Sequence, residues 1–131
     1  MKKYMILSIA LIWATALFAV DPPNATQVDV YYFHFSRRCK TCLNVEKVAK
    51  ESVESLFPDQ IKKGEITFQS INLDEEEGET LGKKYDIEGQ TLVVICGDNS
   101  VNLTDKGFLY ANTRPEKLKA EIKAAVEEVR K

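Results

Sequence analysis

The chain has 131 residues, 44% of them hydrophobic, which is enough for one compact core and too few for two. Its 18 Lys and Arg against 20 Asp and Glu leave a formal charge of −2. That balance lacks the basic excess needed to neutralise a phosphate backbone and argues against nucleic-acid binding.

The first twenty residues differ from everything after them. Met1-Lys2-Lys3 is a short positive start, and Tyr4 to Val20 is apolar apart from Ser8 and Thr15. This is the pattern of a secretory signal over residues 1–19, with cleavage after Ala19, where Leu17 stands at −3, or after Ala16, where Ala14 does. The alternative is a retained anchor over residues 4–20, at the short edge of the roughly 20 apolar residues that span a bilayer. Both place the folded part outside the cytoplasm, in the periplasm of a bacterium. No cysteine adjoins the cleavage region to accept a lipid. Loss of residues 1–19 removes Lys2 and Lys3 and no acid, so 16 basic against 20 acidic residues give −4. Residues 20–27, with Asp21-Pro22-Pro23-Asn24, read as a linker to a domain over 28–131.

Val28 to Phe35 is rich in aromatic and β-branched residues with few polar breaks and reads as a buried central strand. After Ser36-Arg37-Arg38 the period changes: Val45, Val48, Ala49, Val53 and Leu56 recur at helical spacing, predicting a helix from Cys39 or Lys40 to Leu56, stopped by Pro58. Glu65 to Leu73 alternates, with Ile66, Phe68 and Ile71 as apolar anchors, and predicts a second strand. Asp74 to Tyr85 is polar, with Leu81 and Tyr85 four apart, and suits a short surface helix despite Gly78 and Gly82. Its acidic run, Glu75-Glu76-Glu77, reads as a helix start favoured by the macrodipole rather than as a metal site.

Thr91 to Cys96 predicts a continuous apolar strand, Gly97 to Ser100 a turn, and Val101 to Thr104 a returning hairpin strand. A closing helix follows, with Thr113 and Glu116 spaced for a capping box, Pro115 in the first turn, and Leu118, Ile122, Ala125, Val126 and Val129 as its apolar stripe. The order β, α, β, α, β, β, α implies an α/β protein: a central mixed four-stranded sheet between helices, in three α/β/α layers.

The segment Arg38-Cys39-Lys40-Thr41-Cys42 sits where the buried strand gives way to the helix. A helix N-terminus offers unpaired amide donors and positive potential, which stabilise a thiolate over a thiol. Arg37, Arg38 and Lys40 add positive charge there. The expected chemistry is nucleophilic attack by Cys39 and resolution by Cys42, one turn further in. A purely structural disulfide is the weaker reading, because closing so short a loop is worth only about 2 kcal/mol. A zinc site would require Cys96 and His34 to converge on the pair. His34, the single histidine, shares a strand face with Val30 and Tyr32, either to tune a cysteine or as a hydrogen-bonded sheet-end residue. Cys96 reads as a small buried hydrophobe. No metal or cofactor is called for.

With these residues in place, the chain resembles the thioredoxin superfamily: strand, CxxC, helix, then Tyr85-Asp86-Ile87-Glu88-Gly89-Gln90-Thr91-Leu92. The resemblance implies a thioredoxin-like fold and places Gln90 and Thr91 in the substrate loop facing the cysteines. Gln90 stands, with one residue deleted, where thioredoxins carry a cis-proline. Arg38 replaces their usual Trp, and Phe33 their buried acid. More narrowly, Tyr31-Tyr32-Phe33-His34 with Arg38-Cys39-Lys40-Thr41-Cys42 resembles a small exported family described as a nitrophenyl-compound nitroreductase subunit tied to aromatic-arsenical efflux. Together these imply an exported, monomeric thiol–disulfide oxidoreductase. Its partners would be protein thiols or disulfides and a membrane electron donor or efflux component. The alternative is a noncatalytic accessory subunit that holds a metalloid.

Overall fold

The computed structural model describes residues Thr26–Lys131, so the expected signal or anchor and most of the linker lie outside the described residues. Strand β1, Val28–His34, leads to helix α1, Lys40–Leu56, and a one-turn helix α2, Pro58–Lys62. Strand β2, Ile66–Asn72, precedes helix α3, Glu76–Lys84. Strands β3, Thr91–Cys96, and β4, Asn99–Asn102, form a hairpin, followed by helices α4, Thr104–Tyr110, and α5, Pro115–Val129. The four strands make one mixed sheet in the order β2-β1-β3-β4, with β1 parallel to β2 and antiparallel to β3. The α/β class and the mixed four-stranded sheet between helices expected from the sequence are both present.

The alternation of β1 divides its side chains between two cores. Val28, Val30 and Tyr32 pack with Val45, Ala49 and Val53 of α1 and with Leu118, Ile122 and Val126 of α5. Tyr31 and Phe33 face the other way, onto Ile71, Val93 and Ile95, where Leu81 and Tyr85 cover them. The sheet thus carries α1, α4 and α5 on one face and α3 on the other, and β1 is covered on both sides.

Several boundaries depart from the sequence expectation. Pro58 does more than stop α1: it occupies the first turn of α2 after a bend at Phe57, since a missing N–H costs nothing there. The hairpin turn is only two residues long, because Gly97 takes φ 57° and lets Asn99 pair with Cys96 at once. β4 therefore starts and ends two residues early, and Thr104 belongs to α4. Asn102 fixes that start by accepting the Thr104 N–H at 2.9 Å and its hydroxyl at 2.6 Å. The Thr113–Glu116 capping box does not form. Arg114 is the N-cap, without a side-chain bond, and the Thr113 hydroxyl donates back to the Leu109 carbonyl at 3.1 Å. The apolar stripe of α5 is buried throughout, as its spacing requires.

Candidate functional site: a disulfide at the mouth of α1

β1 ends at His34, and residues 35–39 carry the chain over the sheet edge to α1. The turn is held from the β2 side: the Ser36 N–H donates to Asp74 Oδ2 at 2.7 Å, and Asn72 Nδ2 donates to the Ser36 hydroxyl at 3.0 Å. The Ser36 backbone and hydroxyl donors hold the Asp74 carboxyl below the usual carboxylate range. Cys39 is the N-cap of α1, in extended backbone, and its Sγ accepts the Cys42 N–H at 3.0 Å. A sulfur thus takes the capping place usually held by a hydroxyl or carboxylate oxygen, where amide donors and the helix dipole favour negative charge.

Cys39 and Cys42 form a disulfide, with Cα atoms 5.0 Å apart. The two cysteines differ in access: Cys39 is exposed, whereas Cys42 is 3% exposed on the buried side of α1. Leu43, the next residue, points to solvent and is about half exposed, and Phe35 is exposed at the start of the turn. The second wall of the site is the corner between α4 and α5. Asn44 Nδ2 donates to the Ala111 carbonyl at 3.0 Å and to Asn112 Oδ1 at 2.6 Å, and Asn112 Nδ2 donates to the Thr41 hydroxyl at 3.2 Å. These bonds tie α4, with exposed Phe108 and Leu109, to the first turn of α1.

Of the flanking cations, Arg37 and Lys40 are exposed. Arg38 is not a free charge beside Cys39. Its guanidinium bends back over the Tyr32 ring, 5.8 Å from the centroid, and forms an ion pair with Glu46, both side chains being about one-fifth exposed. Burial pushes the Glu46 carboxyl up, but hydrogen bonds from Ser70 and Arg38, the Arg38 charge and the nearby His34 outweigh it and hold the group below the usual carboxylate range. Burial raises the Tyr32 phenol above its ordinary value, with the Arg38 charge working against that rise.

His34 is 9% exposed, stacks on Tyr32 with ring centroids 6.1 Å apart, and shares the Tyr32 face as its register requires. Its Nδ1 lies 2.9 Å from the Phe35 carbonyl, a contact in which the ring nitrogen must donate. That geometry is the one expected of a hydrogen-bonded sheet-end histidine. Gln90 and Thr91 lie at the same end of the sheet: Thr91 opposes Phe33, its hydroxyl donates to the Gly89 carbonyl at 2.9 Å, and Gln90 Oε1 accepts the Tyr32 hydroxyl at 3.4 Å. Among the described residues no peptide bond is cis, so Gln90 lacks both the proline and its cis geometry.

Cys96 does not join this group. It is buried at the far end of β3, five residue steps or about 17 Å from Thr91, within the α1–α5 core. The described residues bring together no cluster of three or more His, Cys, Asp or Glu able to hold a metal. Glu46 is the site residue that the sequence reading missed. Its signal was present: it lies four residues beyond Cys42, on the helix face that carries both cysteines.

The sequence matches no protein-family model and no curated protein. Among solved structures the chain is similar to a malarial protein, with a TM-score of 0.51 and 19% identity, covering 76% of this chain and 97% of that one. It is also similar to thioredoxin from Fasciola hepatica, at TM-score 0.47 and 20% identity over 76% of this chain and 82% of that one. A third similar structure is chloroplastic thioredoxin z, at TM-score 0.46 and 23% identity, covering 76% and 80% of the two chains. At such identities the likeness is one of fold.

Proposed function

We propose that this protein is an exported thiol–disulfide oxidoreductase that works through Cys39 as the attacking sulfur and Cys42 as the resolving one. The observation that carries this reading is the asymmetry of the pair: an exposed cysteine at the N-cap of α1, bonded to a buried one a turn further in. In the reduced protein the Cys39 thiolate attacks one sulfur of a partner disulfide. The Cys39–partner S–S bond forms, the partner S–S bond breaks, and a partner thiolate leaves. Cys42 then loses its proton and attacks Cys39 Sγ, forming the Cys39–Cys42 bond and releasing the second partner thiolate. Two electrons and two protons pass from the dithiol to the partner, and the same steps run backwards when the protein oxidises a dithiol.

Exposed Phe35 and Leu43, which flank the cysteine segment in sequence, suit a polypeptide partner, because apolar contact beside the reactive cysteine favours a protein disulfide over a small polar one. Export rests on the apolar N-terminal stretch and fits a compartment in which disulfides persist. The test is exchange with insulin as the disulfide partner. Wild type should reduce it when supplied with dithiol, Cys39→Ser should be inactive, and Cys42→Ser should stop as a mixed disulfide at Cys39. A wild-type protein with no exchange and an inert Cys39 would sink the proposal.

Gln90 in place of the expected proline favours a second reading, a noncatalytic subunit whose reduced dithiol holds a metalloid within an efflux or nitroreductase system. The YYFH and RCKTC resemblance supports that setting, and soft thiolates suit arsenic(III). Stoichiometric arsenite binding that disappears in Cys39→Ser, without redox turnover, would select it.

A further inference from the structure

Cys39, Cys42 and Glu46 stand at i, i+3 and i+7 and therefore share one face of α1. Glu46 is held by the Arg38 guanidinium, and hydrogen bonds from Ser70 and Arg38 keep its carboxyl below the usual range. Ser70 is the register partner of Tyr32, so this acid sits against the same sheet face as the ring over which Arg38 lies. The charge of the residue before the attacking cysteine is thus paired with a carboxylate on the helix that the cysteine caps. We propose that Glu46, by pairing with Arg38, sets the reactivity of Cys39 and makes the Cys39–Cys42 couple more reducing than its helix cap alone would. Glu46 and Arg38 act here as positioning and tuning residues, and the inference rests on the dithiol reading above.

The sign follows from the charges carried by the residues around the first turn of α1. The capping amide of Cys42 favours the thiolate. Arg37 and Lys40 are exposed and screened by solvent, so they add little. Asp74 is held across the turn by Ser36, and the buried phenol of Tyr32 is neutral near pH 7. His34 holds its Nδ1 proton on the Phe35 carbonyl. Arg38 remains the mostly buried cation adjacent in sequence, and low local dielectric gives its charge more weight than those of the exposed neighbours. With Glu46 ionised the pair is close to neutral toward the sulfur. Without it, Arg38 would stabilise the thiolate, and a more stable thiolate stabilises the reduced form and makes the couple more oxidising.

The experiment uses the oxidised protein and three variants: Glu46→Gln, Arg38→Gln and the double change. Glutamine keeps the shape of Glu46 and an acceptor for Ser70 and Arg38. Each protein is reduced, its Cys39 pKa is read from the pH dependence of alkylation, and its potential from equilibration in glutathione buffers. A half-buried unit charge within about 10 Å shifts a pKa by about 0.5 to 1 unit. Glu46→Gln should lower the Cys39 pKa by that amount and move the couple to a more oxidising potential. Arg38→Gln, which leaves the carboxylate unpaired, should move both the opposite way, and the double variant should return toward wild type. An unchanged or raised pKa in Glu46→Gln, or a lowered one in Arg38→Gln, would overturn the inference. A wild-type pair that never equilibrates with glutathione would instead overturn the dithiol reading itself.

Discussion

Replacing Gly78 with alanine tests the packing that supports the turn before Cys39. Gly78 lies in α3 where that helix crosses the end of β2, and it is buried. An added Cβ would overlap the Asn72 carbonyl oxygen, stand 2.5 Å from its carbon and 3.1 Å from the Leu73 nitrogen, all backbone atoms that no rotamer change can move. Alanine gains about 1 kcal/mol of helix propensity over glycine. Overpacking of a close contact costs about 1–3 kcal/mol, and a backbone clash belongs at the upper end. Relief requires α3 to lift from β2, taking Leu81 and Tyr85 off the Tyr31–Phe33 face and disturbing Asn72, which bonds Ser36. The net loss should be about 2 kcal/mol, a fall of about 1 M in the urea midpoint for a slope near 2 kcal/mol per molar. Gly89→Ala is the control, with no atom within 4 Å of the added carbon and an expected change within about 0.5 kcal/mol. A Gly78→Ala protein with an unchanged or higher midpoint would refute the close approach of α3 to β2.

Asn44→Ala should remove the bonds to Ala111 and Asn112 and cost about 1–2 kcal/mol. Hydrogen exchange should quicken in α4 and the α4–α5 corner before it does in the sheet. Acid stability should depend on Glu46. Because its folded pKa lies below the ordinary 4.5, its contribution is complete above that value and is lost as pH falls through the folded value. Urea midpoints measured from neutral pH downwards should therefore fall less steeply below pH 4.5 in Glu46→Gln than in wild type, and parallel curves would count against the ion pair.

The parts of the molecule that sequence made legible are those governed by period and by local chemistry. The switch from alternation to helical spacing at residues 36–39 located both the strand–helix junction and the cysteines at its cap, and the stripe of α5 located its buried face. What escaped depended on tertiary contacts. Helix α4 is short and carries a poor helix former, Gly107, at its centre, and it is specified by the Asn102 side chain and by packing against Val45 and Leu92. The capping box failed because the Thr113 hydroxyl found a nearer acceptor in the preceding helix. Arg38 read as an unpaired cation beside Cys39 because its partner, Glu46, is two helical turns away and the bend of the side chain over Tyr32 has no local signature. Gln90 could be placed opposite the cysteines by resemblance, but its bond to Tyr32 required the β1–β3 register.

In the proposed function the cap of α1 makes Cys39 the reactive thiolate. That role is tested most directly by reducing the protein and following alkylation of each cysteine separately by mass spectrometry across pH. Cys39 should react with an apparent pKa below the free-cysteine value of about 8.5, while buried Cys42 stays protected through the neutral range. A Cys39 pKa at or above that value, or faster modification of Cys42, would contradict the account.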